Sequence, residues 1–133
     1  MSRWCKSSQA APKTTRNIGT AAEDLAKKHL EIKGLTLVTR NYHCRRGEID
    51  LIMQDGNFLV FIEVRYRKNN HFGSAAESVT RKKQRRVLST AEYYLQNEKQ
   101  NADNACRFDV ITVSGEQDPK IEWIKDAFQA ETY

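Results

Sequence analysis

Apolar and polar positions alternate along the 133 residues with two distinct periods, and the changes of period mark out the elements. Ala22, Leu25, Ala26 and Leu30 recur every three or four residues. This predicts an amphipathic helix from Asn17, capped by Asn17 or Thr20 and stopped at Gly34. From Leu35 to Tyr42 the period shortens to two and β-branched residues enter, predicting a strand. Two further alternating runs, Glu48–Met53 after Gly47 and Phe58–Arg67, flank Gln54-Asp55-Gly56-Asn57. An Asp-Gly pair in that position predicts a hairpin. His71–Ala75 reads as a loop, and Ser74 as the cap of a long helix running to about Asn97, with an apolar stripe of Val79, Val87, Leu88, Ala91, Tyr94 and Leu95. Cys106–Val113 is the next strand, and Lys120–Lys125 a last one beside a short C-terminal helix. Residues 1–16 show no apolar period and read as a flexible basic arm before a single domain over residues 17–133. The order predicts an α/β sandwich: a central mixed sheet of four to five strands flanked by helices, the long helix crossing over to a parallel strand.

Composition narrows the function more than the fold. Hydrophobic residues make up 39% and charged residues 29%, a globular balance. The longest apolar run, Phe58–Ile62, is far too short for a membrane span. The arm has basic residues without the apolar segment of a secretory signal. Cys5, Cys44 and Cys106 form no CxxC pair, which argues against a disulfide framework or structural zinc and for the reducing cytoplasm. The net charge of +5 sits mostly in the arm, where Arg3, Lys6, Lys13 and Arg16 stand without an acid. Clustering is more telling. Arg81, Lys82, Lys83, Arg85 and Arg86 fall within six residues, whereas residues 116–133 hold five acids against two bases. Such polarity can orient a body on a polyanion.

The hairpin carries the candidate chemistry. Residues two apart share a strand face, so Glu48, Asp50 and Ile52 oppose Ile49, Leu51 and Met53, and Leu59, Phe61, Glu63, Arg65 and Arg67 share a face of the next strand. With Asp55-Gly56 as the turn, Asp50 faces Phe61 and Glu48 faces Glu63. Asp50 and Glu63 then become diagonal neighbours, about 7–8 Å apart at the backbone. Burying unpaired carboxylates costs several kcal/mol unless a metal, a cation or a proton relieves them. Oxygen-only ligation would favour Mg²⁺ or Mn²⁺ over zinc. The alternative is a solvated face carrying a Glu63–Arg65 or Glu63–Arg46 ion pair, and the spacing alone leaves both open.

Several motifs in order resemble the YraN-type family of small bacterial proteins. They are Gly19-x-x-x-Glu23, Arg40-Asn41-Tyr42, Gly47-Glu48-Ile49-Asp50-Leu51-Ile52, Leu59-Val60-Phe61-Ile62-Glu63-Val64-Arg65-Tyr66-Arg67, Phe72-Gly73, Lys83-Gln84 and Arg107-Phe108-Asp109-Val110. The likeness covers about residues 17–113. That family is similar to archaeal Holliday-junction resolvases and, more widely, to PD-(D/E)XK nucleases with their restriction-endonuclease-like fold. The resemblance implies that Asp50 is a metal-binding aspartate, Glu63 the acid of the (D/E)XK step, and Glu23 the helical acid that completes such a site. Arg65 stands where the superfamily usually has lysine; it can bind phosphate but stays protonated and cannot act as a base.

The resemblance thus implies metal-assisted hydrolysis of structured DNA with Mg²⁺ or Mn²⁺ at Asp50, Glu63 and Glu23, and no organic cofactor. Arg46, Arg67, Lys68, Lys82, Lys83 and Arg86 become the candidate phosphate contacts, with Lys83 nearest the apolar stripe and turned toward the acids. Asp109 reads as an anchor for a basic side chain. Resolvases of related fold act as dimers, so a homodimer also enters the expectations. Two other readings compete: a non-catalytic nucleic-acid-binding module on the same fold, and a protein-interaction domain pairing its basic helix and acidic end with a partner.

Overall fold

The computed structural model describes residues 15–67, 79–98, 105–115 and 117–129. Helix α1 (Thr15–Ile32) turns a stripe of Ala22, Ala26 and Leu30 inward. It stops where Gly34 adopts φ 106 and the Leu35 N–H donates to the Leu30 carbonyl at 3.0 Å. Strands β1 (Thr36–Cys44), β2 (Gly47–Asp55) and β3 (Phe58–Arg67) follow as an antiparallel meander. Helix α2 (Arg81–Asn97) leads to β4 (Ala105–Ser114), which lies parallel to β3, and β5 (Lys120–Ile124) closes the sheet antiparallel to β4. The sheet order is β1-β2-β3-β4-β5. It is the predicted mixed α/β arrangement with five strands, and its single parallel pair is the one a helical crossover permits.

Each face of the sheet has its own apolar layer. One unites Ala26 and Leu30 of α1 with Leu51, Met53, Val60, Ile62 and Ile111. The other unites Val87, Ala91 and Tyr94 of α2 with Ile49, Ile52, Leu59, Phe61 and Val110. Tyr94 meets Tyr42 and Phe61 edge-on, at 5.0 and 5.9 Å between centroids, as helix packing and not as a base-stacking platform. Gly47 is required where the β1–β2 turn nears α2. Its φ is 148, and a Cβ there would stand 2.9 Å from the Thr90 hydroxyl.

Three boundaries differ from the sequence expectation. Of the predicted arm, residues 1–14 lie outside the described residues, while Thr15 and Arg16 already belong to α1. Helix α2 begins at Arg81 because Thr80 is extended and its hydroxyl accepts the Lys83 N–H. The expected cap at Ser74, with the His71–Ala75 loop, lies outside the described residues. No helix follows β5 among the described residues; the Asp126 and Ala127 N–H groups donate to the Asp109 carboxylate and the Phe108 carbonyl, holding that segment against β4.

Asp109 is the anchor the sequence suggested. Fully buried, it accepts from Arg107 Nε and Nη2, from the Trp123 indole and from Asp126 N–H, each at 2.9 Å. Arg107 continues to Asp55 at 3.0 Å and lies over the Phe58 ring. Removing one partner of a buried pair strands the other. Asp109→Ala is therefore expected to lower stability by about 3–5 kcal/mol, read as a shifted midpoint in urea unfolding.

Candidate functional site

The β2–β3 turn decides which acids meet. Asp55 pairs with Phe58, so the two turn residues are Gly56 and Asn57, with Gly56 first at φ 61. That is the glycine position of a type II′ turn, not the second place of an Asp-Gly type I′ turn. Ile52 therefore faces Phe61, and Leu51 faces Ile62. The expected pairings of Asp50 with Phe61 and of Glu48 with Glu63 are both displaced. One step beyond the last paired residues, Leu51 and Ile62, stand Asp50 and Glu63. In this register they stand opposite each other and not diagonally.

The alternation also slips at Asp50. Leu51 and Met53 pack toward α1 and Ile52 toward α2, but Ile49 packs toward α2 as well. The β1–β2 ladder passes from Arg40↔Leu51 to Tyr42↔Ile49 without a change of register, leaving Asn41 and Asp50 opposite each other outside the ladder's pairs, and Asn41 has φ 55. Freed from the pleat, Asp50 accepts the Val64 N–H at 2.8 Å.

Three carboxylates thereby come into electrostatic contact from three elements. Glu63 on β3 is only 3% exposed, and Lys83 Nζ of α2 stands 3.3 Å from its Oε2. Burial and the neighbouring Asp50 charge push the Glu63 carboxyl up to about 7, against the pull of Lys83 and Arg65. Burial also raises Asp50, to about 6; the Val64 N–H, Lys83 and Arg65 restrain it while Glu48 adds repulsion. Glu23 on α1 is raised to about 7 by burial and by Asp50, and Arg40 and Asn41 hold it back. Arg40 reaches Glu23 at 3.4 Å and Asp24 at 2.9 Å. Arg40 and Asn41 are site residues that sequence reasoning left without a role; the Arg40-Asn41-Tyr42 motif was their signal.

The candidate cations divide. Lys83 enters the site, and Arg65, partly buried, acts on both Asp50 and Glu63. Lys82 and Arg86 are exposed on the opening turns of α2. Arg67 ends β3, its carbonyl accepting the Gly115 N–H, and Lys68 lies outside the described residues. Arg46 is not beside the acids: it donates to the Ser89 carbonyl at 3.1 Å, pairs with Glu92 at 3.7 Å and covers the Tyr93 ring, tying the β1–β2 turn to α2. Neither anticipated partner of Glu63 supplies its ion pair, since Lys83 does. Among the described residues, no group of three or more His, Cys, Asp or Glu side chains stands arranged to hold a metal ion. None of the described helices is long and apolar enough to cross a membrane.

The model of the uncharacterised protein family UPF0102 matches residues 22–113, which hold every one of these acids and cations. The chain belongs to UPF0102, the YraN-type family. A UPF0102 protein of Nitrosococcus oceani is 48% identical over 122 residues, 91% of this chain and 98% of that protein. One from Saccharophagus degradans is 53% identical over 110 residues, covering 83% and 91%, and one from Pseudomonas aeruginosa is 44% identical over 120 residues, covering 88% and 96%.

Raised carboxyl pKa values make the stability of this UPF0102 chain depend on pH. The unfolded chain releases the Glu63 proton near 4.5, the folded chain near 7. Between these values the folded state holds more protons, so stability is fully present below 4.5 and is lost as pH rises through 7. Glu63→Gln cannot ionise and flattens this fall by on the order of 3 kcal/mol, measured as urea midpoints at pH 4.5, 6 and 8. An identical fall in wild type and Glu63→Gln would mean that the Glu63 charge is already satisfied.

Proposed function

We propose that this chain binds the phosphodiester backbone of DNA and, with Mg²⁺ or Mn²⁺, hydrolyses it. The observation that carries this reading is the meeting of Glu23, Asp50 and Glu63 from α1, β2 and β3. Burial raises the proton affinity of all three, and the Asp50 charge raises that of Glu23 and Glu63 further, beside the basic opening of α2. A fold has no reason to concentrate charge that it neutralises so incompletely unless a cation completes the site.

The donor set fits a hard divalent ion in kind, being made of carboxylate oxygens alone. Asp50 and Glu63 would hold it, with Glu23 on the α1 side. Such an ion supplies Lewis acidity toward water and phosphate oxygen. The chain supplies the rest. The Val64 N–H fixes the Asp50 carboxylate, and Arg40 fixes Glu23. Arg65 brings a permanent positive charge with a fork of donors suited to phosphate, and it stabilises charge without accepting a proton.

The opening of α2 adds the binding surface. Its first turn contains no acid and begins Arg81, Lys82, Lys83. Cations at that end oppose the helix dipole, which costs stability and favours an anion there. Contacts of this kind position a backbone without reading its sequence. The arrangement therefore suits DNA of defined shape better than DNA of defined sequence.

Mn²⁺ titration of wild type and Asp50→Ala by calorimetry, with cleavage of a branched DNA, tests the reading. Wild type is expected to bind Mn²⁺ and cut the branched DNA, and Asp50→Ala to lose at least tenfold in Mn²⁺ affinity (about 1.4 kcal/mol) together with cleavage. If the five α2 cations engage phosphates, log affinity for DNA falls against log salt with a slope of about −4 to −5. DNA binding without cleavage in any divalent ion would reduce the function to a binding module. No DNA binding at low salt would replace it with a protein-interaction domain.

A further inference from the structure

Taking the metal reading above as its basis, we infer that Lys83 is the resident counter-ion which a divalent cation displaces from Glu63, and that the released ammonium then pairs with the bound phosphate. The geometry and the count of charges both lead there. Lys83 Nζ stands 3.3 Å from Glu63 Oε2, against a carboxylate that is otherwise closed to water. Four acids, Glu23, Glu48, Asp50 and Glu63, are set against three cations, Arg40, Lys83 and Arg65. A divalent ion entering this group turns its single excess negative charge into a single excess positive one, and the repulsion falls most heavily on the cation already at its ligand.

Lys83 is the cation able to leave. Arg40 is committed twice, to Glu23 and to Asp24. Among the described residues Lys83 makes its ion pair to Glu63 alone, and its side chain is 34% exposed whereas that of Glu63 is 4% exposed. Its backbone is fixed, since its N–H donates to the capping Thr80 hydroxyl at 3.2 Å. Only the flexible four-carbon arm needs to swing, and lysine carries its charge as a point without a fixed fork. Lys82 and Arg86, exposed on the same opening turns, mark the surface toward which it moves. Metal and DNA binding then become linked through one ammonium, and linkage of this kind is reciprocal.

The test compares wild type, Lys83→Met and Lys83→Arg at pH 8, with folding checked by thermal unfolding. Mn²⁺ affinity is measured by calorimetry, and the affinity of a fluorescent duplex is measured in EDTA and in Ca²⁺. Loss of the competing charge is expected to tighten Mn²⁺ binding by about tenfold in Lys83→Met, while Lys83→Arg, which keeps the charge, stays near wild type. The same Lys83→Met is expected to weaken duplex binding by several-fold in Ca²⁺ and hardly at all in EDTA. Unchanged or weaker Mn²⁺ binding in Lys83→Met, or an equal loss of DNA affinity in both buffers, would overturn the exchange and leave the metal site standing. Mn²⁺ binding by none of the three proteins would remove the metal site itself, and the exchange with it.

Discussion

A carboxylate on a strand between two apolar layers keeps its charge only if a cation is brought to it, and at Glu63 that cation is Lys83. Much of the architecture serves this requirement. Because β3 and β4 are parallel, the chain must cross over between them, and α2 within that crossover lies against β2. Its opening turns carry the densest run of positive charge in the sequence. Gly47 lets the β1–β2 turn approach Thr90 and Arg86, and Arg46 grips the Ser89 carbonyl, so the helix is registered along the strands it neutralises. Shifting α2 by one turn would withdraw the ammonium and leave Arg65 to oppose the cost of burying the acid.

The two polar nodes in this sheet are built on opposite logic. At Asp109 four donors converge on one buried carboxylate, and the arginine beside it is shared with Asp55 and a phenyl ring. Hydrogen bonds from both sides raise the proton affinity of that arginine further. This node locks β4 to the chain beyond β5 and offers nothing to a ligand. At Glu63 and Asp50 the donors are few, and each acid still gains affinity for a proton. The first node is saturated with donors; the second holds carboxylates whose charge burial opposes.

Periodicity made the fold legible and blurred the site. Stripes such as Ala22, Ala26 and Leu30, together with the alternation in Phe58–Arg67, identified helices, strands and the parallel crossover, because burial on a helix and on a sheet leave different periods. The motifs also named Glu23, Asp50, Glu63 and Lys83, all of which the fold brings into one site. What escaped was geometry set by single residues. A turn centred on Gly56-Asn57 in place of Asp55-Gly56 shifts the whole register by two and changes every cross-strand partner. The slip at Asp50 left no trace in the pattern, because apolar residues stand on both sides of it and either face would have accepted them. Arg46 was misplaced for a related reason: three basic or polar residues around the β1–β2 turn look alike in sequence, and only the approach of α2 selects its partner.

Strand β1 occupies the edge of the sheet, and it is irregular twice: its register shifts between Leu37 and Thr39, and Asn41 is left-handed. The second irregularity lies opposite Asp50, where the alternation of β2 slips. Both irregularities also interrupt the row of outward N–H and C=O groups that a straight edge would offer to a strand from another molecule. With Arg40 and His43 between and beyond them, the edge is a poor template for cross-molecular pairing. The irregularity opposite Asp50 thus falls on the one strand of this pair where unbroken regularity would offer a template to another chain.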